Sequence, residues 1–170
     1  FMTMVTGGDY GGLEHINSTA LITARTDLPV DESHVPSESY QRFLGLCSHE
    51  YFHAWWVKSV CPDVMISCDL QAEAYTSLLW VFEGFTSYLD DLMLLVSGVI
   101  DRASYFKLIT AQINRYYKTD GRIHQSVAES SFDTWIKLYR PDENTTNQSV
   151  SYYNKGALVA LCLDLSLLKH

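Results

Sequence analysis

The chain has 170 residues, of which 47% are hydrophobic, 13% aromatic and 19% charged. This balance is typical of a globular domain and excludes a disordered chain, a collagen and a coiled coil. Twelve lysines and arginines stand against twenty aspartates and glutamates, which gives a net charge of −8 without any basic run. We therefore expect no nucleic-acid partner and no attraction to an anionic membrane surface.

The two ends of the chain suggest a piece of a longer protein. The chain begins at Phe1 rather than Met and ends on an unfinished apolar helical pattern, Leu158–Leu168. No apolar stretch approaches the roughly 20 residues of a membrane-spanning helix, and no signal peptide is recognisable. We expect residues 1–170 to form one domain, with flanking domains in the full-length chain and a cytoplasmic rather than secreted or periplasmic location.

The N-terminal part predicts a small sheet. Phe1–Thr6 is apolar and β-branched and runs into the turn cluster Gly7–Asp9, which is typical of a strand. A second strand is predicted over Leu13–Thr26, and the loop Asp27–Pro36 follows.

The remainder of the chain predicts helices, so the expected fold class is α+β and mostly helical. Apolar residues at helical spacing are followed by helix-stop residues, such as Gly98 after the second of these segments. A polar loop is predicted before the last helix, over Asp142–Ser149. The predicted helical segments are Phe43–Val57, Ala72–Val96, a helix capped by Asp101 and ending near Tyr117, Phe132–Tyr139, and a last helix capped by Ser149 or Ser151.

The most informative motif is the HExxH sequence His49–His53, inside the first predicted helix. Residues four apart are about 40° apart around a helix axis, so both imidazoles project from one face and can hold one metal ion. Glu50 lies about 60° from His53 and is placed to act on a water molecule as a general base. The alternative is a pair of unrelated histidines on a buried helix face.

A catalytic zinc ion needs a third protein ligand. The extended HExxHxxGxxH pattern is absent, because positions 56 and 59 hold Trp56 and Ser59. Glu83 is the better candidate, since a carboxylate within an apolar helix is unfavourable unless a positive partner such as zinc pairs with it. The neighbouring Gly84 indicates close approach of another element. Alternatively, the Glu83 side chain reaches solvent.

Asp90 follows Glu83 by seven positions, so the two lie on nearly the same helix face. Asp90 is therefore a candidate for orienting a metal-bound imidazole. The alternative is a solvated acidic helix end.

Taken together, these motifs resemble a known family. HExxH followed by a Glu in a downstream helix is the gluzincin pattern, and Gly11–His15, read as GGLEH, resembles the GxMEN element of the aminopeptidase N group. The chain is still more similar to the glycyl aminopeptidase family, whose longer members also carry a PDZ domain. The interval of 29 residues between the last His and the Glu favours this branch. The segments that carry the resemblance are 11–15, 49–58, 79–92, 125–145 and 151–161.

The resemblance implies a thermolysin-like zincin catalytic domain over residues 1–170. It implies that His49, His53 and Glu83 bind Zn²⁺, and that Glu50 is the general base and later the proton donor to the leaving amine. The implied reaction is hydrolysis of the N-terminal peptide bond of peptides with a free N-terminus, with a preference for Gly or Ala.

The resemblance also implies contacts to the substrate. Tyr153 would donate a hydrogen bond to the oxyanion of the tetrahedral intermediate, with Tyr152 as the competing residue. Glu14 would bind the free α-amine from the edge strand of the cleft, beside Gly11 and Gly12. Two alternatives stay open: an endopeptidase of the same fold, and a non-catalytic or incomplete zinc-binding module of a larger protein.

Overall fold

The computed structural model describes residues 1–29 and 36–169. The chain divides into two compact units. The first consists of Phe1–Val60 and Leu89–Lys107, and the second of Cys61–Tyr88 and Leu108–His170. The predicted α+β class, mostly helical with a small N-terminal sheet, is confirmed.

A three-stranded sheet opens the first unit. Strands β1 (Met2–Thr6), β2 (Gly11–Glu14) and β3 (Thr19–Ala24) lie in the order β1-β3-β2. Strand β1 runs parallel to β3, whereas β2 runs antiparallel to it, with Glu14 opposite Thr19. Strand β2 is therefore an edge strand, as predicted for the segment that carries Glu14.

The single strand predicted over Leu13–Thr26 is wrong, because residues 15–18 form a turn between β2 and β3. The backbone N–H of His15 donates to the carbonyl of Ser18 at 2.8 Å. Apolar residues continue through this turn at Ile16, so composition does not reveal it. The predicted loop Asp27–Pro36 lies mostly outside the described residues; Asp27 itself ends a short 3₁₀ turn that begins at Arg25.

Helix α1 (Glu38–Trp56) carries the HExxH motif and has well-defined ends. At its start, the hydroxyl of Ser37 accepts a hydrogen bond from the N–H of Tyr40 at 3.2 Å. At its end, the N–H groups of Val57 and Lys58 both donate to the carbonyl of His53, at 3.1 and 2.9 Å. The first unit also contains a short apolar core: Leu21, Leu46, Leu94, Ile100 and Tyr105 are buried.

A short helix α2 (Asp63–Ile66) precedes an irregular connection with turns, and helix α3 spans Phe85–Val96 after one π-helical turn, Trp80–Gly84. The predicted start at Ala72 is therefore wrong. The hydroxyl of Thr76 accepts from the N–H of Leu78, and the N–H of Trp80 donates to the hydroxyl of Ser131 at 2.9 Å. These hydroxyl contacts replace helical hydrogen bonds before Trp80.

The predicted boundaries between α3 and the next helix are confirmed. Gly98 adopts a positive φ of 76° just after α3, as a C-terminal glycine does. Asp101 accepts a hydrogen bond from the N–H of Ser104 at 2.8 Å, and helix α4 (Arg102–Lys118) follows.

The C-terminal third differs from expectation in its short elements. The single segment predicted at Phe132–Tyr139 is instead helix α5 (Val127–Phe132) followed by a π-helical turn at Thr134–Leu138. The polar stretch predicted as a loop contains a one-turn helix α6 (Thr145–Gln148). Helix α7 (Tyr152–Leu168) begins after Ser151, whose hydroxyl accepts from the backbone of the first turn, so Ser151 and not Ser149 is the cap.

In the second unit, α7 crosses the π-helical turn at two glycines. A Cβ atom on Gly84 would lie 2.6 Å from the Cα of Gly156, and one on Gly156 would lie 2.7 Å from the carbonyl oxygen of Trp80. The predicted close approach at Gly84 is therefore confirmed. The largest buried residues around this crossing are aromatic: Phe82, Tyr88 and Tyr152.

Within the described ranges, no helix has both the length and the apolar character needed to cross a bilayer.

Candidate metal centre and active site

The HExxH side chains lie together on α1. The ring centroids of His49 and His53 are 4.6 Å apart, with their planes perpendicular, as expected of residues four apart on one face. His53 is 2% exposed and Glu50 is 7% exposed. Two imidazoles and a carboxyl group are thus held in a largely solvent-excluded part of the first unit.

Asp90 orients the first of these histidines. The Nδ1 atom of His49 lies 2.9 Å from the Oδ2 atom of Asp90, and both side chains are mostly buried. A carboxylate bonded to Nδ1 fixes the ring and favours metal coordination through Nε2. Asp90 is therefore not part of a solvated helix end. Its contact with His49 supports the orienting role that the sequence suggested.

A partly exposed polar cluster lies near Asp90. Burial, and next the charge of Asp90, raises the pKa of the Asp91 carboxyl group. Burial also raises the pKa of Tyr10 to about 12. The Tyr10 hydroxyl donates to the carbonyl of Arg42 at 3.1 Å, and the Arg42 guanidinium lies 3.7 Å from the Tyr10 ring centroid.

The edge strand β2 lies directly over Glu50. A Cβ atom on Gly12 would collide with the carboxyl group of Glu50, at 2.5 Å from its Cγ atom. Gly11 shows no such constraint, since its Cβ atom would make an ordinary 3.6 Å contact with Ile22. Both glycines belong to β2 and not to a turn.

Glu14, at the end of β2, joins the same group of side chains. One potential ligand atom from each of Glu14, Glu50 and His53 lies within 4.8 Å of the others. Carboxylate oxygens and imidazole nitrogens are the donors of catalytic zinc sites, so this His/Glu cluster is able to bind a metal ion. The fold thereby brings three of the sequence-predicted site residues together.

Sequence reasoning missed Lys58. Its Nζ atom lies 3.0 Å from the Oε1 atom of Glu14, and the two side chains are 30% and 18% exposed. Lys58 follows the last turn of α1, so helical spacing does not assign it a face. Its position five residues after His53 was the only available signal.

A cleft of about 240 Å³ opens beside Glu50 in the first unit. Besides Glu50, it is lined by residues 15–18 of the turn after β2, by Phe1 and Thr19, and by Tyr51 and Ala54 of α1. This space can receive part of a small bound molecule next to the Glu50 carboxyl group.

Glu83 and Tyr153 lie in the second unit. Glu83 belongs to the π-helical turn, a feature that is common at functional sites. Tyr153 is in the first turn of α7, where burial and then the charge of Glu83 raise the pKa of its hydroxyl. The competing Tyr152 is 1% exposed, and its hydroxyl accepts from that of Thr134 at 3.2 Å. Tyr153 is the less buried of the two tyrosines.

A helix that carries HExxH beneath a glycine-containing edge strand, with a His/Glu cluster able to bind a metal, defines a site of the metallopeptidase class. The model of the M61 glycyl aminopeptidase family matches residues 42–159, and the chain belongs to this family.

A solved structure supports the same relationship. The crystal structure of an aminopeptidase N family protein from Idiomarina loihiensis is 49% identical in sequence and superposes with a TM-score of 0.94. The similarity covers 98% of the present chain and 28% of the Idiomarina chain, so the present chain spans little more than a quarter of that protein. No curated protein matches the chain significantly.

Proposed function

We propose that this chain is the catalytic part of a zinc-dependent aminopeptidase. It would hydrolyse the N-terminal peptide bond of peptides with a free N-terminus and prefer small first residues such as Gly or Ala. The observation that carries the proposal is the proximity of Glu14, Glu50 and His53. This proximity supports the roles proposed for the three side chains: a carboxylate for an amine, a general base and a metal ligand. Membership of the M61 family supports it.

The metal ligands in this proposal are His49, His53 and Glu83. Two imidazoles and one carboxylate suit Zn²⁺. Asp90, which is bonded to His49, lies seven residues after Glu83 on the helical segment that runs from Trp80 to Val96. Seven residues are about two turns, so the two carboxylates share a face, which supports Glu83 as the third ligand. A bound zinc ion would supply Lewis acidity to the peptide carbonyl and to a water molecule.

The chain's own residues would carry the proton transfers. Glu50 accepts a proton from the attacking water and passes it to the leaving amine. Its burial beneath Gly12 holds the carboxyl group in one place. Tyr153 donates a hydrogen bond to the oxyanion, and its raised pKa keeps the hydroxyl protonated at neutral pH.

Glu14 would define the enzyme as an exopeptidase. Its carboxylate pairs with the substrate's α-ammonium group at the end of the edge strand, and this contact places only the first peptide bond at the reacting centre. A matched pair of peptides, one with a free and one with an acetylated N-terminus, tests this role. Cleavage of only the free peptide is expected; equal cleavage of both would favour an endopeptidase of the same fold.

Hydrolysis of glycine and alanine p-nitroanilides tests the reaction itself. Glu50→Gln should lower kcat by about 10²–10⁴-fold, because the general base is lost. Glu38→Gln, at an exposed position of the same helix, is the matched control and should keep full activity. Activity that survives Glu50→Gln would contradict the mechanism.

Elemental mass spectrometry tests the metal site independently of turnover. About one zinc per chain is expected, and Glu83→Ala should lose it, whereas Glu73→Ala, at an exposed position that pairs with Arg140, should not. A folded, zinc-binding chain without hydrolysis would favour the alternative of an incomplete zinc-binding module. The observation that favours this alternative is that the similarity covers only 28% of the Idiomarina chain.

A further inference from the structure

We propose that Lys58 is a specificity-determining residue that restricts the first residue of the substrate to small side chains. This inference rests on the proposed aminopeptidase function and identifies a physical origin for its preference. Three observations carry it: the anchored backbone of Lys58, its ion pair with Glu14, and the position of Glu14 in the site.

The backbone of Lys58 is tied to the HExxH helix. Its N–H donates to the carbonyl of His53 at 2.9 Å, next to the parallel bond from Val57 at 3.1 Å. His53 is itself buried. The starting point of the lysine side chain is therefore fixed relative to the proposed metal ligand.

The end of the Lys58 side chain is also fixed. Its Nζ atom lies 3.0 Å from Oε1 of Glu14, with 30% of the lysine side chain exposed. Glu14 in turn offers an oxygen within 4.8 Å of the ligand atoms of Glu50 and His53. The end of the lysine side chain thus lies against the carboxylate that would bind the substrate amine.

A substrate ammonium on Glu14 would share this carboxylate with Lys58. Two nitrogens hydrogen-bonded to one carboxylate lie roughly 4–6 Å apart, given bonds of about 2.7–3.0 Å to each. The Cβ atom of the first substrate residue is separated from its nitrogen by only two bonds. In the proposed arrangement, a longer side chain that points toward Lys58 would meet the lysine stem. Gly and Ala avoid this contact, Leu meets the stem, and a first Lys also meets its positive charge.

Two substitutions separate volume from charge. Lys58→Ala removes both, whereas Lys58→Met keeps most of the volume without the charge. Lys107→Ala is the matched control, because Lys107 forms an exposed ion pair with Glu38 at 3.7 Å. The measurement is kcat/KM for the alanine, leucine and lysine p-nitroanilides.

We expect Lys58→Ala to raise the leucine-to-alanine ratio of kcat/KM by at least about tenfold, since contacts with a few methylene groups discriminate by about 10–200-fold. Lys58→Met should leave that ratio near the unaltered value and raise the lysine-to-alanine ratio. Lys107→Ala should change neither. An unchanged leucine-to-alanine ratio in active Lys58→Ala would overturn the inference. Lys58→Thr provides a second truncation if the alanine variant does not fold.

A binding measurement distinguishes failure of this inference from failure of the proposed function. Alaninamide and leucinamide are titrated into each variant and followed by NMR chemical shifts. If the unaltered chain hydrolyses no anilide, the aminopeptidase proposal fails, and the titration decides the role of Lys58. A selective gain in leucinamide affinity in Lys58→Ala supports that role, and an unchanged ratio of affinities refutes it.

Discussion

Substitution of Gly84 by alanine tests the proposal that the crossing of two helical segments sets the position of the site residues. Gly84 follows Glu83 directly, and its partner Gly156 lies three residues after Tyr153. A Cβ atom on Gly84 would lie 2.6 Å from the Cα atom and 2.8 Å from the carbonyl carbon of Gly156. Both neighbours are backbone atoms, so no side-chain rotation can relieve the contact.

The size of the effect follows from these distances. Non-bonded carbons are optimally about 3.5–4.0 Å apart, so α7 must move by about 1 Å. Overpacking of this kind costs about 1–3 kcal/mol, and replacing a helical glycine by alanine offsets about 0.5–1 kcal/mol. The free energy of unfolding should therefore fall by about 1–2 kcal/mol, which lowers Tm by about 2–8 °C. Activity should fall more, because a 1 Å misplacement of catalytic groups can reduce the rate by about 10²-fold.

Thermal unfolding by circular dichroism and hydrolysis of the alanine anilide measure the two effects separately. Gly8→Ala is the control, since a Cβ atom at Gly8 has nothing within 4 Å, and it should change neither quantity. Full activity in a destabilised Gly84→Ala chain would refute the link between this crossing and the positions of Glu83 and Tyr153. An unchanged Tm would refute the packing argument itself.

Three further outcomes are expected. Asp90→Asn weakens the hydrogen-bonded partner of His49, so zinc affinity measured by chelator competition should fall by about 10–100-fold; unaltered affinity would exclude the orienting role. Glu14→Gln should raise KM for the alanine anilide far more than it lowers kcat, because an ionic contact to the amine is lost. Steady-state kinetics measures both constants, and a fall in kcat with little change in KM would contradict this role. Removal of zinc by a chelator should lower Tm, because a ligand that binds only the native state stabilises it by about 2.7 kcal/mol at 100 times its Kd; an unshifted melting curve would argue against a native-state metal site.

The features predicted correctly from the sequence depend on short-range interactions. The caps at Asp101 and Ser151 each involve a backbone N–H three residues away, and Gly98 needs only its own positive φ. The pairing of His49 with His53 follows from helix geometry alone. Such signals lie within one or two turns, so the linear sequence contains them in full.

The features that were missed or left open depend on distant residues. The start of the segment before α3 is set by Ser131, which contacts Trp80 across 51 positions. The role of Asp90 was ambiguous because its partner His49 is 41 positions away. Lys58 lies beyond the end of α1, where periodicity no longer indicates a direction. In each case the deciding atom belongs to another element, which no local pattern contains.

The contact between strand β2 and Glu50 also makes the effect of a substitution at position 12 depend on the residue at position 50. With the Glu50 side chain in this position, an alanine at position 12 has no room, because its Cβ atom would occupy the volume of the carboxyl group. Glu50→Ala removes the Cγ atom and the carboxyl group together and makes room for alanine at position 12, whereas Glu50→Asp would keep a Cγ atom at the place that lies 2.5 Å from the new Cβ atom. The two positions are therefore epistatic: with Glu50 present, an alanine at position 12 must displace the carboxyl group, whereas without Glu50 the same substitution meets no such contact.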